Sequence, residues 1–159
     1  MKKIISLLFC LININCFSAE IEDAKLFGDV KKETVNSITY LTSTTSNTNN
    51  YIIYKLFIPE NGNYMFWFNL QSTNEATLSF SVDKGKKDLY DIPASTNWIW
   101  WPLNGRNGLD STNKFQINPI FVFFSAGNHE FRMDFLTPNV KINKFLLTGN
   151  LWYLPLQKP

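Results

Sequence analysis

Residues 51–70 read YIIYKLFIPENGNYMFWFNL, and their pattern decides the fold. In residues 51–58, Ile52, Tyr54, Leu56 and Ile58 share one face of an extended chain, with Ile53 and Phe57 on the other. Pro59-Glu60-Asn61-Gly62 follows as a turn, because Asn-Gly supplies the positive φ that a tight hairpin needs. Residues 64–70 return with Tyr64, Phe66, Phe68 and Leu70 aligned. Two runs of period two joined by a turn describe an antiparallel hairpin with one apolar face.

The same signature spreads outward. Residues 77–82 alternate, with Leu78, Phe80 and Val82 inward and Thr77, Ser79 and Ser81 outward, closed by Asp83-Lys84-Gly85. Residues 120–124 form an apolar strand turned at Ser125-Ala126-Gly127-Asn128. In residues 129–135, His129, Phe131, Met133 and Phe135 line one face, while Glu130, Arg132 and Asp134 form a solvated face with modest pairing. Residues 140–148 close the series. Their phase slips from Val140 and Ile142 to Phe145 and Leu147, which predicts a bulge near Asn143-Lys144.

Residues 20–27 and 35–41 are weaker strands, residues 42–50 a polar surface loop, and residues 104–114, with two Asn-Gly pairs, a long loop. No segment sustains helical periodicity. Eight or nine short strands separated by turns predict an all-β sandwich of antiparallel strands.

Between them lie Trp98, Trp100 and Trp101, three of five tryptophans within four positions. In a strand, Trp98 and Trp100 share one face and Ile99 and Trp101 the other, so at least one tryptophan is a candidate surface platform. Tryptophan is mostly buried, which favours a core place for Trp100 and Trp101. Trp67, opposite the Phe66 and Phe68 face, is either a second core residue or part of an exposed patch. His129, beside Phe131, reads as a hydrogen-bonded core histidine rather than a base or ligand.

Met1-Lys2-Lys3, the apolar residues 4–14 and the small residues near Ser18 and Ala19 have the form of a signal peptide, cleaved after residue 18 or 19. The apolar run is too short to span a bilayer, and no later stretch approaches the required length, so an exported protein, periplasmic or secreted, is expected. Cys10 and Cys16 both lie in the leader, so the mature chain carries no thiol for disulfides, zinc–thiolate sites or nucleophilic catalysis. Fifteen basic residues less Lys2 and Lys3 leave thirteen, matching the thirteen acidic ones, and this balance excludes the footprint of a nucleic-acid binder. Residues 19–150 suffice for one domain with its own core. Residues 151–159 follow as an apolar tail.

The order of landmarks resembles the family 6 and family 35 carbohydrate-binding modules, from Ala19-Glu20-Ile21-Glu22-Asp23-Ala24 at the start to the closing strand at residues 140–148. The intervening matches are Lys55-Leu56-Phe57-Ile58-Pro59-Glu60-Asn61-Gly62-Asn63-Tyr64, Ser79-Phe80-Ser81-Val82-Asp83, the tryptophan stretch at residues 97–101, and Phe124-Ser125-Ala126-Gly127-Asn128-His129. The resemblance implies a jelly-roll β-sandwich and a non-catalytic, exported glycan- or polysaccharide-binding protein. It implies a sugar site with Trp98 and Tyr40 as the aromatic pair and Lys141 where the family has a hydrogen-bonding Asn. It also implies a structural Ca2+ held by Glu20, Glu22 and Asn143, the last standing where the family has an aspartate.

The alternative is a protein-interaction or envelope subunit that reuses the fold without sugar, with its partner bound through Trp152 and Tyr153 of the tail. A glycosidase needs two opposed carboxylates in a cleft, and the spacing of Asp83, Asp88, Asp91 and Asp110 carries no such signature.

Overall fold

A computed structural model describes residues 16–106 and 115–156. The expected leader, apart from residues 16–18, Asp110 and the end of the tail lie outside the described residues. The strands are β1 (Cys16–Glu20), β2 (Lys25–Phe27), β3 (Lys31–Val35), β4 (Ile38–Thr42), β5 (Tyr51–Ile58) and β6 (Gly62–Ser72). They continue as β7 (Ala76–Val82), β8 (Asp88–Ile92), β9 (Ser95–Pro102), β10 (Val122–Phe124), β11 (Gly127–Asp134) and β12 (Lys141–Thr148).

Two antiparallel sheets face each other. One runs β10-β6-β12-β4-β3, with β9 also pairing β6 and β1 pairing β12, and the other runs β2-β5-β11-β7-β8. This is the jelly-roll sandwich. Its core is the inward side of the alternating strands: Phe66, Phe68 and Phe145 of one sheet meet Tyr54 and Phe131 of the other. Phe66 stacks on Phe131 at 4.6 Å and Tyr54 meets Phe145 edge-on at 4.5 Å. Each such ring contributes about 2–3 kcal/mol on burial, so the aromatic layer holds the two sheets together.

The hairpin of residues 51–70 forms as its pattern requires, with Ile52, Tyr54, Leu56, Ile58, Tyr64, Phe66, Phe68 and Leu70 buried and Phe57 exposed. The bulge in β12 is also present, as a register shift between Ile142 and Lys144 against β6.

Several expectations change. Residues 20–27 are not one strand: one turn of 3-10 helix, Ile21–Asp23, sends β1 to one sheet and β2 to the other. Residues 35–41 are the turn and second arm of a β3–β4 hairpin, whose corner residues Asn36 and Ser37 take φ of 50° and 66°. That is type I′ chemistry, which Asn tolerates and Asn-Gly patterns advertise more loudly. The described strands outnumber the eight or nine expected because three- to five-residue strands are too short to show a period.

The face expected to be solvated on β11 and β7 is partly covered. Ser79, Ser81 and Asp134 are buried. Asp134 accepts from Arg132 Nε at 2.9 Å and Ser79 Oγ at 2.8 Å, and pairs with Lys87 Nζ at 2.9 Å. Arg132 forms a roof there, its guanidinium 3.5 Å from the centroid of the Tyr51 ring. Alternation identified the face correctly, but long cations folded over it and took it out of water.

Asp91 on β8 is, like Asp134, a fully buried carboxylate. It accepts from Arg106 Nε at 2.7 Å and Nη2 at 2.5 Å, from the Gln116 N–H at 2.9 Å and from Thr77 Oγ at 3.0 Å. Asn104 bridges the Asp91 backbone N–H and carbonyl, both at 2.8 Å. Both sides of the long loop are thereby fastened to one strand. Burial alone would raise the Asp91 carboxyl, but Arg106, Gln116 and Thr77 together hold it below the usual carboxylate range.

Candidate functional site

The outward face of the larger sheet carries the site. In β9 the strand period separates the tryptophan stretch: Ile99 and Trp101 pack against the main core, whereas Trp100 joins Met65, Trp67 and Leu146 in a second cluster on the opposite face. Trp101 fills a core position as expected, its indole N–H donating to Asp91 O at 3.0 Å. Trp100 does not; it is half-buried on the outer face. Trp67, whose place the sequence left open, lies buried in the same outer cluster.

Trp98 shares the outer face and meets Tyr40 of β4, with ring centroids 5.8 Å apart and planes at 50°. Lys141 of β12 completes the group, its Nζ 5.1 Å from the Tyr40 ring centroid. The three residues named for sugar binding thus come together from three strands. Their geometry differs from a two-sided aromatic clamp. At that separation the rings touch each other, and Tyr40 is only 4% exposed. Tyr40 buttresses the half-exposed Trp98, leaving one indole face as the platform.

Glu33 of β3, which sequence reasoning missed, belongs to the same group. It accepts the Tyr40 hydroxyl at 3.0 Å and pairs with Lys31 at 2.7 Å. Lys31 and the Tyr40 hydroxyl hold the Glu33 carboxyl below its ordinary value, while burial and then the Glu33 carboxylate push the Tyr40 phenol up. Its sequence signal was the β3–β4 hairpin itself, since Glu33 pairs with Tyr40 across it. Gln71 of β6, beside Lys141 in register, donates its amide to Thr96 O. An indole face, an ammonium, a carboxylate and a carboxamide therefore surround one patch.

Such a patch suits a pyranose, whose C–H face stacks on the indole while its hydroxyls take the polar groups. Glu33 is a carboxylate bonded into the group through the Tyr40 hydroxyl.

The three positions named for calcium are also brought near one another. Glu20 pairs with Lys144 across β1 and β12, Glu22 lies in the 3-10 turn packed on β12, and Asn143 stands in the β12 bulge. Asn143 Nδ2 donates to Thr39 O at 2.6 Å, which leaves Oδ1 as the atom that can ligate. Two carboxylates and an amide oxygen are the hard donors calcium takes, although Lys144 at the register position of Glu20 opposes a cation there.

His129 is hydrogen-bonded at both nitrogens, as expected: Nδ1 to Asp83 Oδ2 at 2.6 Å and Nε2 to Ser125 O at 2.8 Å. It stands at the half-buried end of β11, edge-on to Phe124.

No family model matches the chain, and no curated protein matches its sequence. Solved structures do. A family 35 carbohydrate-binding module from Clostridium thermocellum superposes with a TM-score of 0.62 at 18% identity, over 84% of this chain and 97% of that one. The C-terminal family 6 module of a marine laminarinase from Zobellia galactanivorans gives 0.61 at 17% identity, over 84% and 99%. A Podospora anserina β-(1,4)-mannanase that carries a family 35 module gives 0.67 at 15% identity, over 88% of this chain, which spans 29% of the mannanase. At such identities the likeness establishes the fold: the chain is built as the family 35 and family 6 modules are.

Proposed function

We propose that this protein is a non-catalytic glycan-binding module whose platform is Trp98, with Tyr40 as its buttress and Lys141, Glu33 and Gln71 as its polar rim. The observation that carries the reading is the convergence of Trp98, Tyr40 and Lys141 on one outer face, in a fold that two solved structures use as carbohydrate-binding modules. A structural calcium held by Glu20, Glu22 and Asn143 Oδ1 would fasten β1 and the 3-10 turn to β12. Export follows from the leader. Cleavage after residue 18 or 19 removes most of β1 and uncovers the edge of β12 opposite residues 16–18. Affinity electrophoresis against a panel of soluble polysaccharides tests the reading, with retardation by at least one of them expected. Unretarded migration through the whole panel would sink it.

One observation favours the second reading, a protein-interaction subunit. Tyr153 folds onto the outer cluster of Met65, Trp67 and Leu146, but Trp152 remains 92% exposed, with Leu154 and Leu156 also in water. Contiguous exposed apolar side chains of this kind mark an interface. Size-exclusion chromatography of the chain ending at Asn150 separates the two: loss of an oligomer or complex on truncation supports an interface, and unchanged mass and solubility argue against it.

A further inference from the structure

The outer face of β6, β9 and β12 repeats one set of groups. Trp98, Gln71 and Lys141 form one row. Trp98 follows the Ile99–Leu70 pair at the point where β9 shifts register against β6 before Ser95 meets Ser72, Gln71 stands in that shift with its amide on Thr96 O, and Gln71 pairs with Lys141. The next row is Trp100, Asn69 and Lys144, where Trp100 pairs with Asn69 and Asn69 with Lys144. Each row is an indole, a carboxamide and an ammonium. Two residue rises set the rows about 7 Å apart, the scale of one pyranose.

The bulge makes the repeat. Lys141 faces out over Tyr40 and Ile142 is buried in the core, so unbroken alternation would turn Lys144 inward. The register shift between Ile142 and Lys144 instead returns Lys144 to the outer face, opposite Asn69. A bulge that serves only packing has no need to present a second lysine in phase with the second indole. Asn69 is half-buried yet makes no side-chain hydrogen bond among the described residues. Beyond this row, Trp67 is 7% exposed, and its indole N–H is buried with no acceptor among the described residues. Tyr153 packs there and closes that end of the strip.

We infer that the Trp100–Asn69–Lys144 row is a second subsite, so that the ligand is a linear oligosaccharide of at least two pyranose units lying across the sheet face rather than a single terminal sugar. This rests on the glycan-binding reading above. In the first row one Gln71 amide N–H goes to Thr96 O and leaves the second N–H and Oε1 for ring hydroxyls, whereas in the second row the whole Asn69 amide is available to them.

The test is isothermal titration of the full chain, Trp98→Ala, Trp100→Ala and Lys144→Ala. The probes are ladders of one to six units of cello-, xylo-, manno-, laminari- and galacto-oligosaccharides and of oligogalacturonides. The expected result is an affinity gain of about fivefold to tenfold between one and three units of one ladder, the worth of one aromatic platform. Trp100→Ala and Lys144→Ala should each reduce that gain while leaving single-sugar affinity unchanged. Lys144 is exposed, so its variant folds even if Trp100→Ala does not. A flat dependence on length, with binding that still needs Trp98, overturns the second subsite and leaves the first intact. Full length dependence in Lys144→Ala overturns it as well. No binding to any ladder removes both this inference and the reading beneath it.

Discussion

Tyr40 lies beneath Trp98 with ring centroids 5.8 Å apart, although the two come from strands in distant parts of the chain that do not pair with each other. The contact makes Tyr40 a support and Trp98 the exposed surface. Trp98→Ala is therefore expected to abolish retardation by the polysaccharide that binds the wild type, while the melting temperature falls by only a few degrees. A large fall in melting temperature would show that Trp98 is structural.

Trp101 provides the contrast. It packs against the core and donates to Asp91 O at 3.0 Å, so Trp101→Ala opens a cavity costing about 3–5 kcal/mol. Differential scanning calorimetry should then show a fall of roughly 10 °C for a chain of this size.

Asp91 is fully buried and bonded to Arg106, Thr77 and Gln116. Removing its carboxylate leaves the Arg106 cation partly buried without its partner, so Asp91→Ala should cost about 3–5 kcal/mol in urea unfolding. A loss below about 1 kcal/mol, the worth of an exposed ion pair, would mean that the Asp91 carboxylate does not fasten the long loop to β8.

His129 donates through both nitrogens to acceptor-only oxygens, the Asp83 carboxylate and the Ser125 carbonyl, which describes the imidazolium. The Asp83 hydrogen bond, against the desolvation of the ring, raises the His129 pKa above its ordinary 6.5. A raised folded pKa stabilises fully below the unfolded value and is lost as pH rises through the folded value. Melting temperature should therefore decline as pH climbs from about 6.5 past that raised value, and His129→Gln should flatten the slope. Asp83 acts at the other end: burial pushes its carboxyl up, the His129 and Glu130 N–H donors outweigh that, and its contribution fades as pH falls through a value below 3.8.

Calcium, if held by Glu20, Glu22 and Asn143 Oδ1, stabilises by mass action. The melting temperature should rise on adding millimolar CaCl2 to EDTA-treated protein and stop responding in Glu20→Gln and Glu22→Gln. A wild-type protein indifferent to both CaCl2 and EDTA removes the site.

The sequence by itself determined the architecture wherever an element was long enough to show its period. The hairpin of residues 51–70, the β11 face through Phe131 and Met133, the bulge near Asn143 and the opposed faces of Trp98 and Trp101 were all legible, because side-chain direction in a strand depends only on position along it. The short β3 was not, since five residues carry too few alternations, and β2 was merged with β1 into one strand over residues 20–27. Nor could local pattern reveal that Asp134 and Ser79 are buried, because the cover comes from Arg132 and Lys87 folding over the strand face. The site divides in the same way. Trp98, Tyr40 and Lys141 were named from their order in the chain, but only pairing across β3, β4, β6, β9 and β12 brought Glu33 to the Tyr40 hydroxyl and set Trp100, Asn69 and Lys144 in a second row. Register between strands is a property of the folded sheet, and the rows on its surface exist only once that register is set.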